Sequence, residues 1–350
     1  MVTQRDFQVD CLGPATQPSP LALQGRRISC VPHGARVRYV SEIGPHISDA
    51  DAALSFEKAG PRERIFFDPQ QSTAAIVTCG GLAPGLNNVI RSVFEELTDN
   101  YGVRRVLGIR EGYRGLIAES ELTPIELSPA RVDGIQERGG TVLGSSRGPQ
   151  DPRRVVDFLV AHEINMLFCV GGDGTQRGAH VIQQEVARRG LPIAIVGIPK
   201  TIDNDVPYVW MSFGYVTALS QAHKVLRAAH VEAHDAPNGV GLVKLMGRNA
   251  GFIAAGAAVA SQDANFVLVP EVPFPLERFL DTLQQRVLDR GHALVVVAEG
   301  AGQHLLSHDE DEATDEAESE PGSATKDASG NNRHKDIGLF LSDAIKTHFA

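Results

Sequence analysis

From residue 74 onward, the chain alternates between short apolar runs and longer segments in which apolar and polar positions follow a helical period. The runs 167–170 and 193–198 predict two buried strands. Between them, Ala179, Ile182 and Val186 fall on one face of a predicted helix. This order predicts a βαβ unit with a polar loop after each strand. Because ligands bind at the carboxyl ends of strands in open α/β sheets, we expect both loops to face one crevice.

The same alternation extends over most of the chain. Further apolar runs predict strands at 74–78, 106–109, 240–245, 266–271 and 293–298, and amphipathic segments predict helices at 87–97, 217–233 and 337–349. Strands that alternate with helices are typical of α/β proteins with mostly parallel sheets. With 350 residues, 42% of them hydrophobic, the chain has room for two such domains. We place the change of domain near Gly214.

The first loop, at residues 171–175, has the sequence GGDGT and the properties of a phosphate site. Glycines let the backbone approach a ligand closely, and the free N–H groups at the start of the following helix attract anions. Asp173 would repel a bare phosphate group, but its carboxylate suits a magnesium ion that accompanies one. A tight turn that needs glycine for its backbone angles would show the same pattern, so this loop alone leaves both interpretations open.

The second loop, at residues 199–205, reads PKTIDND and concentrates charge within a few positions. Lys200 can neutralise a phosphoryl group during its transfer, and a carboxylate such as that of Asp203 can take the proton of an attacking hydroxyl. Thr201 and Asp205 stand close to both in the sequence. The alternative is a surface turn with charged side chains. Two such loops after successive predicted strands favour phosphoryl transfer.

Composition argues against several classes of partner. The formal net charge is −10 and the chain has no basic tract, which argues against a nucleic-acid partner. No run of about 18 or more apolar residues predicts a membrane-spanning helix. The cysteines, at positions 11, 30, 79 and 169, lack metal-ligand spacing, and we interpret them as reduced thiols of a cytoplasmic protein. Asp6 and Asp10 argue against a transit peptide, although a plastid form stays open.

Two segments fall outside the α/β pattern. Residues 1–73 contain scattered prolines and no strong periodicity, and we expect them to form an extension that wraps on the first domain. Residues 307–335 include eight acidic residues between Asp309 and Glu320 without a basic one, which predicts a solvated, disordered loop. Because this loop carries most of the net charge, the acidity of the chain says little about its functional site.

Together, the two loops resemble the phosphofructokinase family, in the ATP-using branch of plants and protists. GGDGT occurs in NAD kinases and lipid kinases as well, whereas PKTIDND combined with MGRNAG at 246–251 is specific. Further segments resemble the family in the same order: AIVTCGGLAPGLNNVIR at 75–91, GIREGYRGL at 108–116, LGSSRG at 143–148 and VVVAEGAGQ at 295–303. The resemblance covers residues 60 to 350. It implies two Rossmann-like three-layer domains, which bind ATP (74–213) and fructose 6-phosphate (214–350).

The resemblance also implies roles for individual residues, with ATP and Mg²⁺ on one side and fructose 6-phosphate on the other. Residues expected at the ATP phosphates are Gly80, Arg147, Gly148, Gly172, Asp173, Gly174 and Thr175, with Asp173 toward the metal. Residues expected at the sugar phosphate are Thr201, Ile202, Asp203, Met246, Gly247, Arg248 and Glu299. The expected catalytic residues are Asp203, Lys200, Asp205 and Arg248. Asp203 would be the base for the 1-hydroxyl of the sugar.

The choice of phosphoryl donor depends on Gly174. Pyrophosphate-using relatives carry a second aspartate at this position, where it crowds the α-phosphate of ATP, whereas glycine leaves room for a nucleotide. Lys200 is shared by pyrophosphate enzymes and by this ATP branch, and so it does not decide the donor. We therefore expect ATP, with a pyrophosphate-dependent enzyme as the alternative.

The family continues beyond the position at which this sequence ends, with a segment that contributes further arginine and tyrosine residues to the sugar phosphate. We therefore expect a complete ATP half and a partial sugar half. A non-catalytic, regulatory or truncated subunit is the alternative from another class, although such a subunit would not need Lys200, Asp203 and Arg248. The resemblance also implies a homo-oligomer, either a dimer or a tetramer, with allosteric control.

Overall fold

The structure is a computed structural model that describes residues 3–23, 29–42, 44–306 and 334–350. The acidic loop predicted at 307–335 lies outside the described residues, except for its last two positions. All four cysteines are described, and they are free thiols. No helix within the described ranges is long and apolar enough to cross a membrane.

The amino-terminal segment consists of short elements around two antiparallel strand pairs. They are a 3₁₀ turn (Gln4–Phe7), strands β1 (Gln17–Pro18), β2 (Arg36–Arg38), β3 (Ser55–Glu57) and β4 (Arg64–Ile65), and helices α1 (Pro20–Leu23) and α2 (Asp49–Ala53). Strand β1 pairs with β4, and β2 pairs with β3. The segment contacts the α/β part of the chain, where the ring centroid of Phe7 lies 5.2 Å from that of Tyr208.

The next part of the chain is built on a five-stranded sheet. Its strands are β5 (Thr73–Thr78), β6 (Arg105–Ile109), β7 (Ile125–Glu126), β8 (Met166–Gly171) and β9 (Ala194–Pro199), and its helices are α3 (Leu86–Glu95), α4 (Pro129–Val132), α5 (Pro152–Ala161) and α6 (Asp173–Arg188). The order in the sheet is β7-β6-β5-β8-β9, in which β7 is an antiparallel edge strand and the others run parallel. The strands predicted in this region are confirmed.

Amphipathic helices cover both faces of this sheet with their apolar sides. Ile90 and Phe94 of α3 pack with one set of buried residues, and Leu159 of α5 and Ile182 of α6 pack with another. Strand β5 is buried along its whole length, which is why its sequence is apolar at consecutive positions rather than at alternate ones. The result is a three-layer arrangement that brings the carboxyl ends of β5, β8 and β9 to one edge.

The second α/β part has a smaller sheet in the described residues. Its strands are β10 (Gly239–Leu245), β11 (Phe266–Leu268) and β12 (His292–Ala298), and its helices are α7 (Tyr215–Asp235), α8 (Phe252–Ser261), α9 (Leu276–Arg290), α10 (Gln303–Leu306) and α11 (Ile337–Phe349). All strands are parallel, in the order β10-β12-β11. Leu226, Leu283 and Leu341 share one buried core with β12. The predicted helix 337–349 is confirmed.

One predicted strand is too long. The sequence predicts a strand over 266–271, but β11 ends at Leu268. Pro270 lacks the N–H group that a sheet ladder needs, and the chain turns there, with Val272 N–H bonding to the carbonyl of Val269. Gly214, the predicted change of domain, has a left-handed backbone (φ 95°) and caps the start of α7. The domain boundaries themselves stay a prediction.

Candidate active site

The carboxyl ends of strands from both sheets open onto one cavity of about 830 Å³. The loops after β5, β8 and β9 contribute to it from one side, and the loops after β10 and β12 from the other. The predicted residues that line it are Gly80, Arg147, Gly148, Gly172, Asp173, Gly174, Thr175, Lys200, Thr201, Ile202, Asp203, Asp205, Met246, Arg248 and Glu299. Gly247 is not part of the lining, but its N–H donates to Glu299 Oε1 (3.3 Å). Residues predicted from distant motifs therefore come together in one crevice.

The GGDGT loop leads directly into helix α6, whose first turn lines the cavity. The buried hydroxyl of Tyr113 donates to the carbonyl of Thr175 (2.8 Å) and fixes this turn from behind. Asp173 Oδ2 lies 2.6 Å from Arg177 Nη2, one turn further along the helix. A Cβ added to Gly174 would meet no atom within 4 Å, so a side chain at this position would extend into open space.

Two further loops pack together beside the start of α6. Gly80 N–H donates to the carbonyl of Ser146 (3.0 Å), and the hydroxyl of Ser145 donates to the carbonyl of Gly80 (2.6 Å). A Cβ added to Gly81 would lie 3.4 Å from Arg147 Nη2, so the guanidinium group sits over this turn. Guanidinium and backbone N–H groups on one wall of a cavity are well suited to hold phosphate.

Lys200 lies directly after β9 and reaches the loop that follows β5. The residue is only 6% exposed, and its ammonium group donates to the carbonyl of Gly81 (2.5 Å). Burial lowers the pKa of Lys200, while the nearby Asp203 acts in the opposite direction and Arg147 lowers the pKa further. The charge is therefore held close to the place where the loop after β5 and the PKTIDND loop meet.

Asp203 has the most strongly shifted pKa among the predicted catalytic residues. Burial, followed by the negative charges of Asp205 and Glu299, raises the pKa of its carboxyl to about 6, against the opposing effect of Arg248 and Lys200. A carboxylate whose pKa lies near neutrality accepts a proton more readily than an ordinary aspartate does. Its position in a cavity together with this shift marks it as a candidate general base.

Hydrogen bonds close the loop that follows Asp203. Asn204 adopts a left-handed backbone (φ 56°), which asparagine tolerates better than most residues. Its Oδ1 accepts the N–H of Ser212 (2.8 Å), and its Nδ2 donates to the carbonyl of Trp210 (3.2 Å). The Ser212 hydroxyl donates to the carbonyl of Thr201 (2.6 Å). The PKTIDND segment is thus the start of a closed loop that returns to α7.

Two carboxylates order the glycine-rich segment after β10. Glu299 Oε1 accepts the N–H of Arg248 (2.8 Å), and Glu271 Oε1 accepts the N–H of Gly251 (2.8 Å). Arg248 itself has a left-handed backbone (φ 50°) and lines the cavity. The predicted place of Glu299 at fructose 6-phosphate stays a prediction, and the structure adds a second role for this side chain, which is to hold the backbone of the segment.

The residues of the crevice are compatible with a magnesium ion brought in by a nucleotide. Mg²⁺ is usually bound by one or two carboxylates and by the phosphates of the substrate, rather than by a cage of protein ligands. The carboxylates of Asp173 and Asp205 line the cavity, and no cluster of three or more His, Cys, Asp or Glu ligands occurs in the described part of the chain. Asp173 is therefore a suitable ligand for Mg²⁺, once the metal takes the place of Arg177 at its carboxylate.

Sequence reasoning missed several residues that shape the site. Arg177 lines the cavity and pairs with Asp173, and its spacing of four positions on a helix was the available signal. Tyr113 and Glu271 act on backbone groups of the loops from distant parts of the chain. No local pattern in the sequence indicates such contacts.

Two mostly parallel sheets, glycine-rich loops at the carboxyl ends of their strands and a carboxyl of raised pKa in one crevice define the class of protein. This is the arrangement of a phosphotransferase that acts on a hydroxyl group. The chain belongs to the phosphofructokinase family, because the family model described as Phosphofructokinase matches residues 73–338. The resemblance on which the sequence analysis relied is confirmed.

Curated relatives support this assignment. The ATP-dependent 6-phosphofructokinase of Borreliella burgdorferi is 44% identical over 98% of this chain and 77% of its own length. The ATP-dependent 6-phosphofructokinase 7 of Arabidopsis thaliana is 48% identical over 86% of this chain and 60% of its own length. The ATP-dependent 6-phosphofructokinase of Trypanosoma brucei brucei is 44% identical over 99% of this chain and 69% of its own length. The chain thus spans from 60% to 77% of the length of these relatives.

Solved structures confirm the predicted fold. A pyrophosphate-dependent phosphofructokinase from Marinobacter aquaeolei matches with a TM-score of 0.59 and 29% identity, over 66% of this chain and 61% of that one. The phosphofructokinase of Pichia pastoris in its T-state matches with a TM-score of 0.58 and 26% identity, over 71% of this chain and 28% of that one. The fold is therefore shared with a solved relative whose name indicates pyrophosphate as its donor.

Proposed function

We propose that this chain transfers the γ-phosphoryl group of ATP to the 1-hydroxyl of fructose 6-phosphate and so produces fructose 1,6-bisphosphate. The observation that carries the proposal is the placement of Asp203, with its raised pKa, in the same cavity as Lys200 and the GGDGT loop. The names of the curated relatives support ATP as the donor.

In this proposal the phosphates of ATP lie along the wall formed by Gly80, Arg147 and the first turn of α6. Asp173 would hold the accompanying Mg²⁺, which would neutralise charge on the phosphates. Lys200 and Arg248 stabilise negative charge on the transferring group, and Thr201 orients the acceptor.

Asp203 takes the proton from the 1-hydroxyl as that oxygen attacks the γ-phosphorus. Because the pKa of Asp203 is about 6, the base is ionised at neutral pH. The value of kcat/KM should therefore fall as the pH decreases through about 6.

The open space at Gly174 bears on the choice of donor. A nucleotide needs room beyond the phosphates that pyrophosphate does not need, and position 174 provides that room. The related pyrophosphate-dependent enzyme of similar fold keeps the alternative donor open for experiment.

A coupled assay on the purified chain tests the proposal directly. It uses fructose 6-phosphate and Mg²⁺ with ATP and pyrophosphate in parallel, and compares wild type with Asp203→Ser. We expect turnover with ATP, and a loss of at least about a hundredfold in kcat in the variant with little change in KM for ATP. Turnover with pyrophosphate but not with ATP would show that pyrophosphate, rather than ATP, is the phosphoryl donor. Binding of Mg²⁺-ATP without turnover would indicate a regulatory or partial chain.

We propose further that the chain works in the cytoplasm as a homo-oligomer, either a dimer or a tetramer. One curated relative is named as chloroplastic, so a plastid location is the alternative. Sedimentation of the purified chain would give the oligomeric state, and fractionation of the source cells would give the compartment.

A further inference from the structure

The loop that carries Asp203 contains a strained aromatic residue. Tyr208 adopts a left-handed backbone (φ 65°), which is rare for a bulky side chain. The nearby Asn204 also has a positive φ, but asparagine tolerates it and its side chain is hydrogen bonded within the loop. Such a conformation at a tyrosine persists only where the surroundings hold it in place.

Packing against three rings of the amino-terminal segment holds Tyr208. Its ring centroid lies 5.2 Å from that of Phe7, 5.5 Å from that of Tyr39 and 6.3 Å from that of Phe56. The interplanar angles of 87°, 68° and 62° are those of edge-to-face contacts, which are favoured between aromatic rings. Phe7 is only 6% exposed, so it forms the buried centre of this cluster.

The three rings are held in position by the segment itself. Phe7 and Tyr39 each contact Phe56, at centroid distances of 4.5 Å and 5.9 Å. The Gln4 side chain accepts from the N–H of Ser55 (3.0 Å) and donates to its carbonyl (2.9 Å), and Tyr39 N–H donates to the carbonyl of Leu54 (2.9 Å). The three rings therefore present a formed surface to Tyr208. We call Phe7, Tyr39 and Phe56 the aromatic clamp.

We propose that the aromatic clamp holds Tyr208 and thereby sets the position of Asp203, so that Tyr208 is a positioning residue for phosphoryl transfer. Tyr208 follows Asp203 by five positions in a loop whose other end is closed by Ser212 and Asn204. Fixing the loop at both places determines where the carboxylate points. The catalytic consequence rests on the proposed function, whereas the mechanical link between clamp and loop does not.

The proposal predicts a specific pattern of kinetic changes. The ring contacts of the clamp reach Tyr208, on the loop that carries Thr201 and Asp203, whereas in the proposed function the ATP phosphates face the loops after β5 and β8. Loss of the clamp should therefore lower kcat by about tenfold to a hundredfold and raise KM for fructose 6-phosphate, with KM for ATP within about twofold of wild type.

Two substitutions at Tyr208 separate packing from backbone preference. Asparagine tolerates the left-handed backbone but lacks the ring, so Tyr208→Asn removes only the contact with the clamp. Tyr208→Phe keeps the ring and should retain wild-type kcat. Phe7→Ala removes the contact from the other side, and Val9→Ala, at a 68% exposed residue of the same segment, is its matched control.

Hydrogen exchange of the same variants gives a readout that does not depend on catalysis. The amides of Asp203, Val209 and Ser212 are hydrogen bonded within the loop and report its closure. We expect faster exchange over 203–212 in Tyr208→Asn and Phe7→Ala, with unchanged exchange in α6, and wild-type exchange in Tyr208→Phe and Val9→Ala. Circular dichroism verifies that each variant is folded. If Phe7→Ala does not fold, Tyr208→Asn alone decides whether the clamp holds the loop.

Wild-type kcat and exchange in Tyr208→Asn would overturn the proposal, as would a Tyr208→Phe variant as impaired as Tyr208→Asn. A rise in KM for ATP equal to that in KM for fructose 6-phosphate would also overturn it, because the substitution would then disturb the whole site rather than the loop that carries Asp203. If wild type shows no turnover with ATP or pyrophosphate, the proposed function fails, and the exchange data alone decide whether the clamp holds the loop.

Discussion

At the scale of single residues, Asp203 combines two requirements that oppose each other. Burial beside Asp205 and Glu299 makes its carboxylate a better proton acceptor, but the same burial makes the charged form costly to the folded state. Lys200 and Arg248 lower that cost only in part. The folded state is therefore less stable than it would be without this buried charge, and the loss of stability can be measured without any substrate.

The stability of the chain should depend on pH through Asp203. Its folded pKa of about 6 exceeds the ordinary aspartate pKa of 3.8, so the folded state binds more protons between these values and the free energy of unfolding falls as the pH rises. Asp203→Asn cannot ionise. At pH 7.5 we expect this variant to be more stable than wild type by about 1 kcal/mol, a figure reduced for the partial exposure of the group.

Thermal unfolding of both proteins at pH 4 and pH 7.5 measures this effect. The difference should vanish near pH 4, where the aspartate carries its proton in the folded state. A variant that is less stable than wild type at pH 7.5 would show that the charge of Asp203 is net stabilising.

Gly174 permits a second test at the same scale. Because a Cβ at this position meets no protein atom within 4 Å, Gly174→Asp should fold normally and project its carboxylate into the cavity. We expect KM for ATP to rise by at least about tenfold through crowding and charge repulsion, since a cost of about 1.4 kcal/mol is tenfold in affinity. Steady-state kinetics with both donors measure it, with Gly174→Ala as the control that adds volume without charge. Unchanged ATP kinetics in Gly174→Asp would refute the donor argument.

At the scale of elements, the strands supply rigid ends and the loops are ordered by single side chains that reach their backbone. The glycine-rich segment after β10 is held in this way by Glu299, from the end of β12, and by Glu271, from the turn after β11. Since only Glu299 also lines the cavity, the two carboxylates form a natural pair for comparison.

Glu299→Ala should destabilise the chain by about 1–2 kcal/mol, because backbone N–H groups lose a charged acceptor. Glu299→Gln retains a carbonyl oxygen for the N–H of Arg248 and should lose less than half of that. Glu299→Ala should also raise KM for fructose 6-phosphate, because Glu299 lines the cavity. Glu271→Ala is the matched control, which should lose similar stability without a change in this KM. Denaturant unfolding and kinetics measure the two effects. Equal stability of the Ala and Gln variants at position 299 would contradict the backbone role.

At the scale of the whole molecule, local patterns and distant contacts differ in how far the sequence predicts them. The strands, the GGDGT and PKTIDND loops and most of the lining of the crevice follow from apolar runs, turns and motif resemblance, because each depends on a few consecutive residues. The strand end at Leu268 was missed because a single proline outweighed the apolar run.

Contacts between distant segments could not be predicted. Phe7 and Tyr208 are separated by most of the first α/β part, and neither lies in a periodic segment, so nothing in the sequence pairs their rings. The pairing of Glu299 with the N–H of Arg248 is hidden for a similar reason, since a glutamate after a strand has many possible partners. These interactions arise only when the fold is complete.

The open space at Gly174 also has a genetic consequence. When a position accepts a new side chain without disturbing its neighbours, a mutation there changes specificity without a prior compensating change. A glycine codon that ends in a pyrimidine becomes an aspartate codon by one base transition. If Gly174→Asp weakens the use of ATP as expected, a single mutational step moves this scaffold away from the nucleotide donor.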